Sequence, residues 1–545
     1  MKTRITFFII LTTMFMTNCS KKENADLIVY NATVYTVDDN FSQAEAFAVR
    51  DGKFIAVGTS KEILDRYQSA DSIDMHGKPV YPGFMDGHSH FNSLGEKMVR
   101  YADLTGCKSF DEVLDRLQRH TANNPSEWIL GRGWDQNLWE DKSFPTNEKI
   151  EELFPDKFVA LTRIDGHAGL VSNKVMQLLG FNEKTKIDGG SILVGTGGKP
   201  TGILLDNAYD MVKAAIPKQN HSEKTHALLT AQKACFDAGL SGVTDAGLDA
   251  DIIELIDSLQ AAGGLKIKIN AFISDDEETL NHFLPKGIIC KERLSVRTVK
   301  LYADGALGSR GARLLAPYTD DPQNYGLMVK TPEYYDSVCR RAYEAGFQVA
   351  THAIGDAGVR TILNAYAKVL KGKNDLRWRM EHAQVVDSSD FDTFGKYSII
   401  PSIQSTHATS DMGWAGDRIG PERLKYAYAQ QQLLAQNDWV INGTDFPIEN
   451  ISPIYTFYAA VARKDLEGNP LEGFQMENAL TREQALCSIT IWVARGYFEE
   501  TRKGSIEAGK EADFVVLSDD IMTIPEYDIP KTKVLQLFVS GEKVK

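Results

Sequence analysis

Cysteine is scarce in this chain of 545 residues: there are six, and no two stand in a CxxC spacing. That pattern offers neither a disulfide framework nor a thiolate metal site. Past the N-terminus, Cys107, Cys235, Cys290, Cys339 and Cys487 are scattered and odd in number. Cys235, Cys339 and Cys487 fall in expected helices and read as small apolar residues. Basic blocks are also missing. With 60 Lys+Arg against 74 Asp+Glu the net charge is −14, which argues against nucleic-acid binding. Beyond the N-terminus no stretch reaches the ~18 apolar residues of a membrane-spanning helix. There is no internal repeat, no low-complexity segment and no spacing of aromatics that marks a sugar site. What remains is an ordinary globular composition, 43% apolar and 25% charged, in a chain long enough for a large core.

The N-terminus is a separate text. Lys2 and Arg4 precede an apolar run, Ile5 to Met16, that is too short to span a bilayer and suits a secretory signal. It ends at Thr17-Asn18-Cys19-Ser20. This resembles a bacterial lipoprotein signal in which Cys19 is lipidated, although Asn18 stands where a small residue is usual. An ordinary signal peptide with an incidental Cys19 is the alternative. The expectation is export over 1–19, a polar tether over 20–25, and a lipid anchor at the periplasmic or surface face of the envelope.

Residues 27–37 and 46–57 at one end, and 513–517 and 533–541 at the other, are short and rich in β-branched and aromatic residues. Neither end can bury a core alone, so both are expected in one small β-sandwich, from 26–78 and 496–545. Between them, over 79–495, strand-like runs alternate with helical stretches such as 222–238, 333–345 and 422–436. Eight runs stand out: 79–84, 240–245, 266–273, 296–303, 347–351, 376–380, 398–404 and 439–443. That alternation predicts an α/β (β/α)8 TIM barrel. About 155 residues separate the first run from the second, too many for a loop, and the segment 105–205 within them reads as an inserted cap.

Six residues carry the chemistry: His88, His90, Lys300, His352, His382 and Asp445. Each stands at or just after the end of a strand-like run, and a barrel gathers such ends at one mouth. His88 and His90 are two apart, so in extended chain they face the same way. A lone HxH is weak, and any one histidine could be a core residue. Asp445 alone could be a turn residue, and Lys300 a salt-bridge partner of Asp304. Imidazole and carboxylate together are zinc-type ligands, and an open zinc position activates water.

The phrases PGFMDGHSH, VKLYADGALGSRGA, HAIGDAG, MEHAQ and GTDFP resemble the amidohydrolase superfamily. With TRIDGHAGLVSNK and PSIQSTHATSDM they point to its YtcJ-like, amidohydrolase-3 branch, which includes proteins like N-substituted formamide deformylase and AepA. The resemblance runs from about residue 26 to the end. It implies two divalent metals, zinc favoured. His88, His90 and Asp445 would hold one, His352 and His382 the other, and Lys300 carbamylated by carbon dioxide would bridge them. Asp445 would also carry a proton from the attacking water to the leaving nitrogen. His167, Trp134, Arg310 and His407 are candidate substrate contacts, against packing or ion pairing.

The expected reaction is hydrolysis of a non-peptide C–N bond in a small amide-like molecule: amide, N-formyl, N-acyl, carbamoyl or cyclic amide. A homodimer is a further expectation. Two alternatives stay open: a one-metal deaminase on the same barrel, and a non-catalytic envelope binding or regulatory lipoprotein.

Overall fold

The computed structural model describes residues 22–545 apart from 165, 167, 188 and 189. Eight parallel strands form its centre: β1 (Phe84–Ser89), β2 (Leu240–Leu248), β3 (Lys268–Ile273), β4 (Leu294–Tyr302), β5 (Gln348–Ala353), β6 (Arg379–His382), β7 (Ile400–Ile403) and β8 (Ile441–Asn442). They pair in chain order, with helices such as Pro332–Glu344 and Asp356–Leu370 packed outside. Their outward apolar side chains and the inner faces of the helices make one continuous core.

The β8–β1 seam is not a regular ladder. Two backbone bonds close it: Asp445 N–H donates to the His88 carbonyl and His90 N–H to the Phe446 carbonyl, each at 2.8 Å. Gly87 and Gly443 permit that approach. A Cβ on Gly443 would lie 2.3 Å from His88 N, and one on Gly87 2.2 Å from Ile441 Cγ2.

Below the site the barrel is plugged. Met85, Phe272, Ile441 and Tyr497 pack together, with Tyr497 following the short helix Ile491–Gly496. Both chain ends build the expected sandwich. A sheet of four strands comes wholly from the N-terminal part. Its six-stranded partner sets Phe514–Leu517 between Pro79–Pro82 and Val534–Val539. Phe47, Phe54, Phe514 and Phe538 interlock between the sheets, the last two stacked at 4.3 Å. The buried Lys268 amine joins the sandwich to the barrel floor, 2.5 Å from both Glu511 and Asp513.

Two expectations need correction. The run 79–84 is not the first barrel strand: Pro79–Pro82 pairs within the terminal sheet, and the barrel begins at Phe84. One apolar text crosses both layers without a polar break, so composition hides the boundary. The stretch 422–436 is not one helix either. Ala415–Leu424 and Gln430–Asn437 are separated at Tyr428, whose backbone is left-handed and whose N–H donates to the Gln384 carbonyl. The inserted segment folds as a six-stranded sheet from Tyr101–Asp103 through Pro200–Asp206, with its own apolar clusters on both faces.

Candidate metal centre

The barrel interior changes from apolar to charged just above the plug. Arg379 and Glu381 alternate on β6, so both point inward, and both are fully buried. The guanidinium donates to both Glu381 oxygens at 2.7 and 2.9 Å. It also donates to Tyr497 Oη at 2.6 Å, to the Gly87 carbonyl and to Ser402 Oγ. Burial pushes the Glu381 carboxyl up, but Arg379 and His88 outweigh it and hold the group well below the usual range. Glu381 then meets His88 Nδ1 at 2.5 Å. An ionised carboxylate there fixes the proton on Nδ1 and leaves the Nε2 lone pair for the cavity, the usual outer support of a metal-binding imidazole.

Above this layer the six residues, from five distant stretches, come together. His88 Nε2 lies 3.5 Å from Lys300 Nζ and 3.5 Å from Asp445 Oδ1, and His90 Nε2 lies 3.2 Å from the same oxygen. Ligand atoms of His88, His382 and Asp445 all fall within 4.8 Å of one another. The His352 ring sits 4.5 Å from that of His382. His382 and Asp445 have left-handed backbones, φ 71° and 62°. Such a conformation costs a non-glycine residue on the order of 1–3 kcal/mol and recurs where function fixes geometry. Asp86 helps fix the second, accepting from Thr444 Oγ1 at 2.7 Å and His88 N–H at 3.0 Å.

The electrostatics favour cations. Burial, helped by Lys300, pushes His88 down to about 4 and His352 down to about 3, so both imidazoles are neutral donors at pH 7. Burial pushes Asp445 up, but His90, His88 and His407 around it bring the carboxyl below its usual range. His352 Nε2, His382 Nδ1, His407 Nε2 and Asp445 Oδ1 are buried without a hydrogen-bond partner among the described residues. Native proteins rarely bury polar atoms in that state without an ion or water to satisfy them. Neutral imidazoles and an ionised carboxylate are what a divalent ion of the zinc type requires.

The substrate candidates divide. His407 joins the site: its ring stacks on His382 at 5.7 Å and its Nε2 is 3.5 Å from Asp445 Oδ2. Trp134 does not. It is buried in the cap's own core, donating to the Leu161 carbonyl and stacked on Trp139. Arg310 does not either: its guanidinium grips Asp320 at 2.9 and 3.1 Å, the ion pair that was its alternative. His167 lies outside the described residues. Asp304 is no partner for Lys300. It accepts backbone N–H groups of Arg313, Ile354 and Gly355, tying the β4 and β5 ends together.

Sequence reading missed Arg379, Glu381 and Trp414. The first two had a signal, since charged residues two apart inside a strand must face one side, here inward. Trp414 had none. It lines, with His407, Leu307 and Ile354, a cavity of about 410 Å³ over the cluster.

Comparison with known proteins agrees with this geometry. A model of the amidohydrolase family matches residues 71–545. The YtcJ protein of Bacillus subtilis is 30% identical over 524 residues, covering 95% of this chain and 99% of that one. N-substituted formamide deformylase of Arthrobacter pascens is 27% identical over 541 residues, covering 95% and 97%. The crystal structure of an uncharacterized metal-dependent hydrolase from Pyrococcus horikoshii superposes with a TM-score of 0.77 at 28% identity, covering 92% of this chain and 99% of that one. By sequence, fold and buried ligand cluster alike, the chain belongs to the amidohydrolase family, in its amidohydrolase-3 branch.

Proposed function

We propose that this protein hydrolyses a non-peptide carbon–nitrogen bond in a small molecule: an amide, an N-formyl or N-acyl amine, a carbamoyl group or a cyclic amide. The observation that carries the reading is the set of buried, unpartnered ligand atoms converging on Asp445 at the floor of a cavity. The curated relative that acts on an N-substituted formamide supports the bond type. His88, His90 and Asp445 would hold one divalent ion and His352 and His382 a second, with zinc suited to the imidazoles. Lys300, as a carbamate, would bridge the two. Burial brings its amine down to about 8, so a share of it is unprotonated near neutral pH. That is the form that adds carbon dioxide, losing a proton to become an anion. When bound, such ions polarise the scissile carbonyl and acidify water.

The chain's own residues do the rest. Asp445, ionised and held by its backbone bond to His88, is placed to take the proton of the attacking water and deliver it to the leaving nitrogen. An amide nitrogen leaves poorly without that proton. Glu381 and Arg379 keep His88 in one tautomer, and the cavity accommodates a small molecule.

The test is Asp445→Asn assayed on N-formyl and N-acyl amines alongside elemental analysis. Bound metal should be largely retained while turnover falls by about 10²–10⁴-fold, the scale of general acid–base assistance. Metal-loaded protein that leaves amides, esters and carbamates untouched would end the reading. The second reading is a single-ion deaminase on His88, His90, His352 and Asp445 without a modified Lys300; the grouping of His88, His382 and Asp445 about one point suits a single ion, though through a different third histidine. One ion per chain and no carbamate in the intact mass would select it.

We also place the enzyme in the bacterial envelope, on a lipid at Cys19, from its N-terminal text alone; Cys19 lies outside the described residues. Cys19→Ser should move the protein from the membrane to the soluble fraction, read by fractionation and intact mass.

A further inference from the structure

The cavity's walls differ from its floor. Imidazoles, Lys300 and Asp445 form the floor, and the walls are mostly apolar, with Leu307, Ile354 and Trp414 prominent. Trp414 is a fixed surface rather than a loose side chain. A Cβ on Gly308 would lie 3.2 Å from its ring, so backbone supports it there. The Arg418 guanidinium stands 5.6 Å from the ring centre. That guanidinium is committed to Asp320, which also holds Arg310.

Charge on the walls has one sign. Apart from Asp445, the acidic residues on the walls are Asp411 and Glu449; Tyr302 adds a phenol that burial keeps protonated. Asp411 accepts from Tyr428 Oη at 2.8 Å and Gln384 Nε2 at 3.1 Å, and Glu449 accepts from Ser410 Oγ at 2.6 Å. Neither is neutralised by a cation in these contacts. Among the described residues lining the cavity, Lys300 is the sole lysine or arginine, and it is buried at the floor. Held against the wall, away from the ions that the hydrolase reading puts at the floor, a substrate carboxylate would therefore face two acids with no guanidinium or ammonium to receive it. Moving an unpaired charge into such a place is costly.

We infer that the site takes amides free of carboxylate, with a flat apolar group laid against Trp414, and rejects N-acyl amino acids. The inference rests on the hydrolase reading above and narrows it to one substrate class. The apolar group makes its contact with the ring, and Asp411 and Glu449 exclude anions by repulsion, so selection has an attractive and a repulsive part.

The experiment compares three compounds on the metal-loaded protein: N-(2-phenylethyl)formamide, N-formylphenylalanine, which differs by one carboxylate, and N-methylformamide, which lacks the ring. Amine release gives kcat/KM, and calorimetry gives binding independently of turnover. The ring-bearing neutral formamide should exceed its carboxylate partner by about 100-fold, within the range that unpaired polar groups impose on specificity. Glu449→Lys should narrow that gap by about ten-fold, one charge contact near the surface of a site. Trp414→Ala should cost about ten-fold on the ring-bearing formamide and little on N-methylformamide, with Trp414→Phe recovering most of it. Trp414→Phe and Glu449→Lys keep the test open if the alanine variant does not fold. Equal or better handling of N-formylphenylalanine overturns the inference. So does a Trp414 loss shared by both neutral formamides, or calorimetry in which neither aryl compound binds. Selective binding of the neutral aryl formamide without turnover upholds the pocket's preference and removes the hydrolase reading instead.

Discussion

At the scale of single residues, the centre depends on groups that never touch a ligand. Glu381 is buried against His88 and is itself held ionised by Arg379. Glu381→Gln keeps the shape but no longer requires the proton on Nδ1. Metal affinity should drop about 10–100-fold, as for other outer partners of ligating histidines. Titration with a competing chelator reads this without any substrate, and unchanged affinity would remove Glu381 from the support of His88. The six ligand candidates were legible in the sequence because each ends a strand-like run and the barrel rule gathers such ends. His407 was legible because it stands in the same kind of phrase. Trp134 and Arg310 misled because aromatic and cationic residues near a site look alike in sequence, whether they face the cavity or a neighbour. The structure gives the first to the cap core and the second to Asp320.

At the scale of elements, the β8–β1 seam joins fold and site. His88 and Asp445 are bonded through their backbones, and Gly443 leaves the room that bond needs. Gly443→Ala places a methyl against His88 N and its carbonyl, where no flexible side chain can yield. Overpacking of that kind costs about 1–3 kcal/mol. We expect a lower melting temperature together with weaker metal binding, since both strands carry ligands. A variant that melts early yet binds metal normally would separate seam from site. The eight-strand alternation was readable from apolar runs and turns, whereas the edges of the first strand were not. Pro79–Pro82 and Phe84–Ser89 belong to different layers but share one apolar text, and pairing partners far away in sequence decide which layer each joins.

At the scale of the whole molecule, the sandwich and barrel share a buried ionic contact, Lys268 with Glu511 and Asp513. Burial pushes the Glu511 carboxyl up, but Lys268 and its neighbours bring it below its ordinary value. Stabilisation from that group is therefore complete above the ordinary glutamate value and is lost as pH falls through the folded one. Lys268→Met leaves the buried Asp513 without this cation and Glu511 with Arg502 alone, and should destabilise the protein by roughly 3 kcal/mol at pH 7. Thermal melts from pH 7 to pH 4 should show the native protein losing stability on acidification and the variant losing much less. A variant as acid-sensitive as the native chain would mean that this contact does not set the acid limb. That both ends of the chain share one sandwich was legible, because neither end has strands enough to close alone. The Lys268 contact was not, since nothing local to residues 268, 511 or 513 announces that they meet.

Tyr497 reaches up from beneath the barrel to Arg379 at 2.6 Å and to the Gly87 carbonyl at 3.2 Å, and the segment that delivers it continues straight into the last sandwich strands. Tyr497 is thus made 118 residues after the arginine it holds and 410 after Gly87. A chain still emerging from the ribosome carries His88 before it has the tyrosine that helps to steady the layer beneath it. A product ended before residue 497 should therefore lack this support of the buried guanidinium.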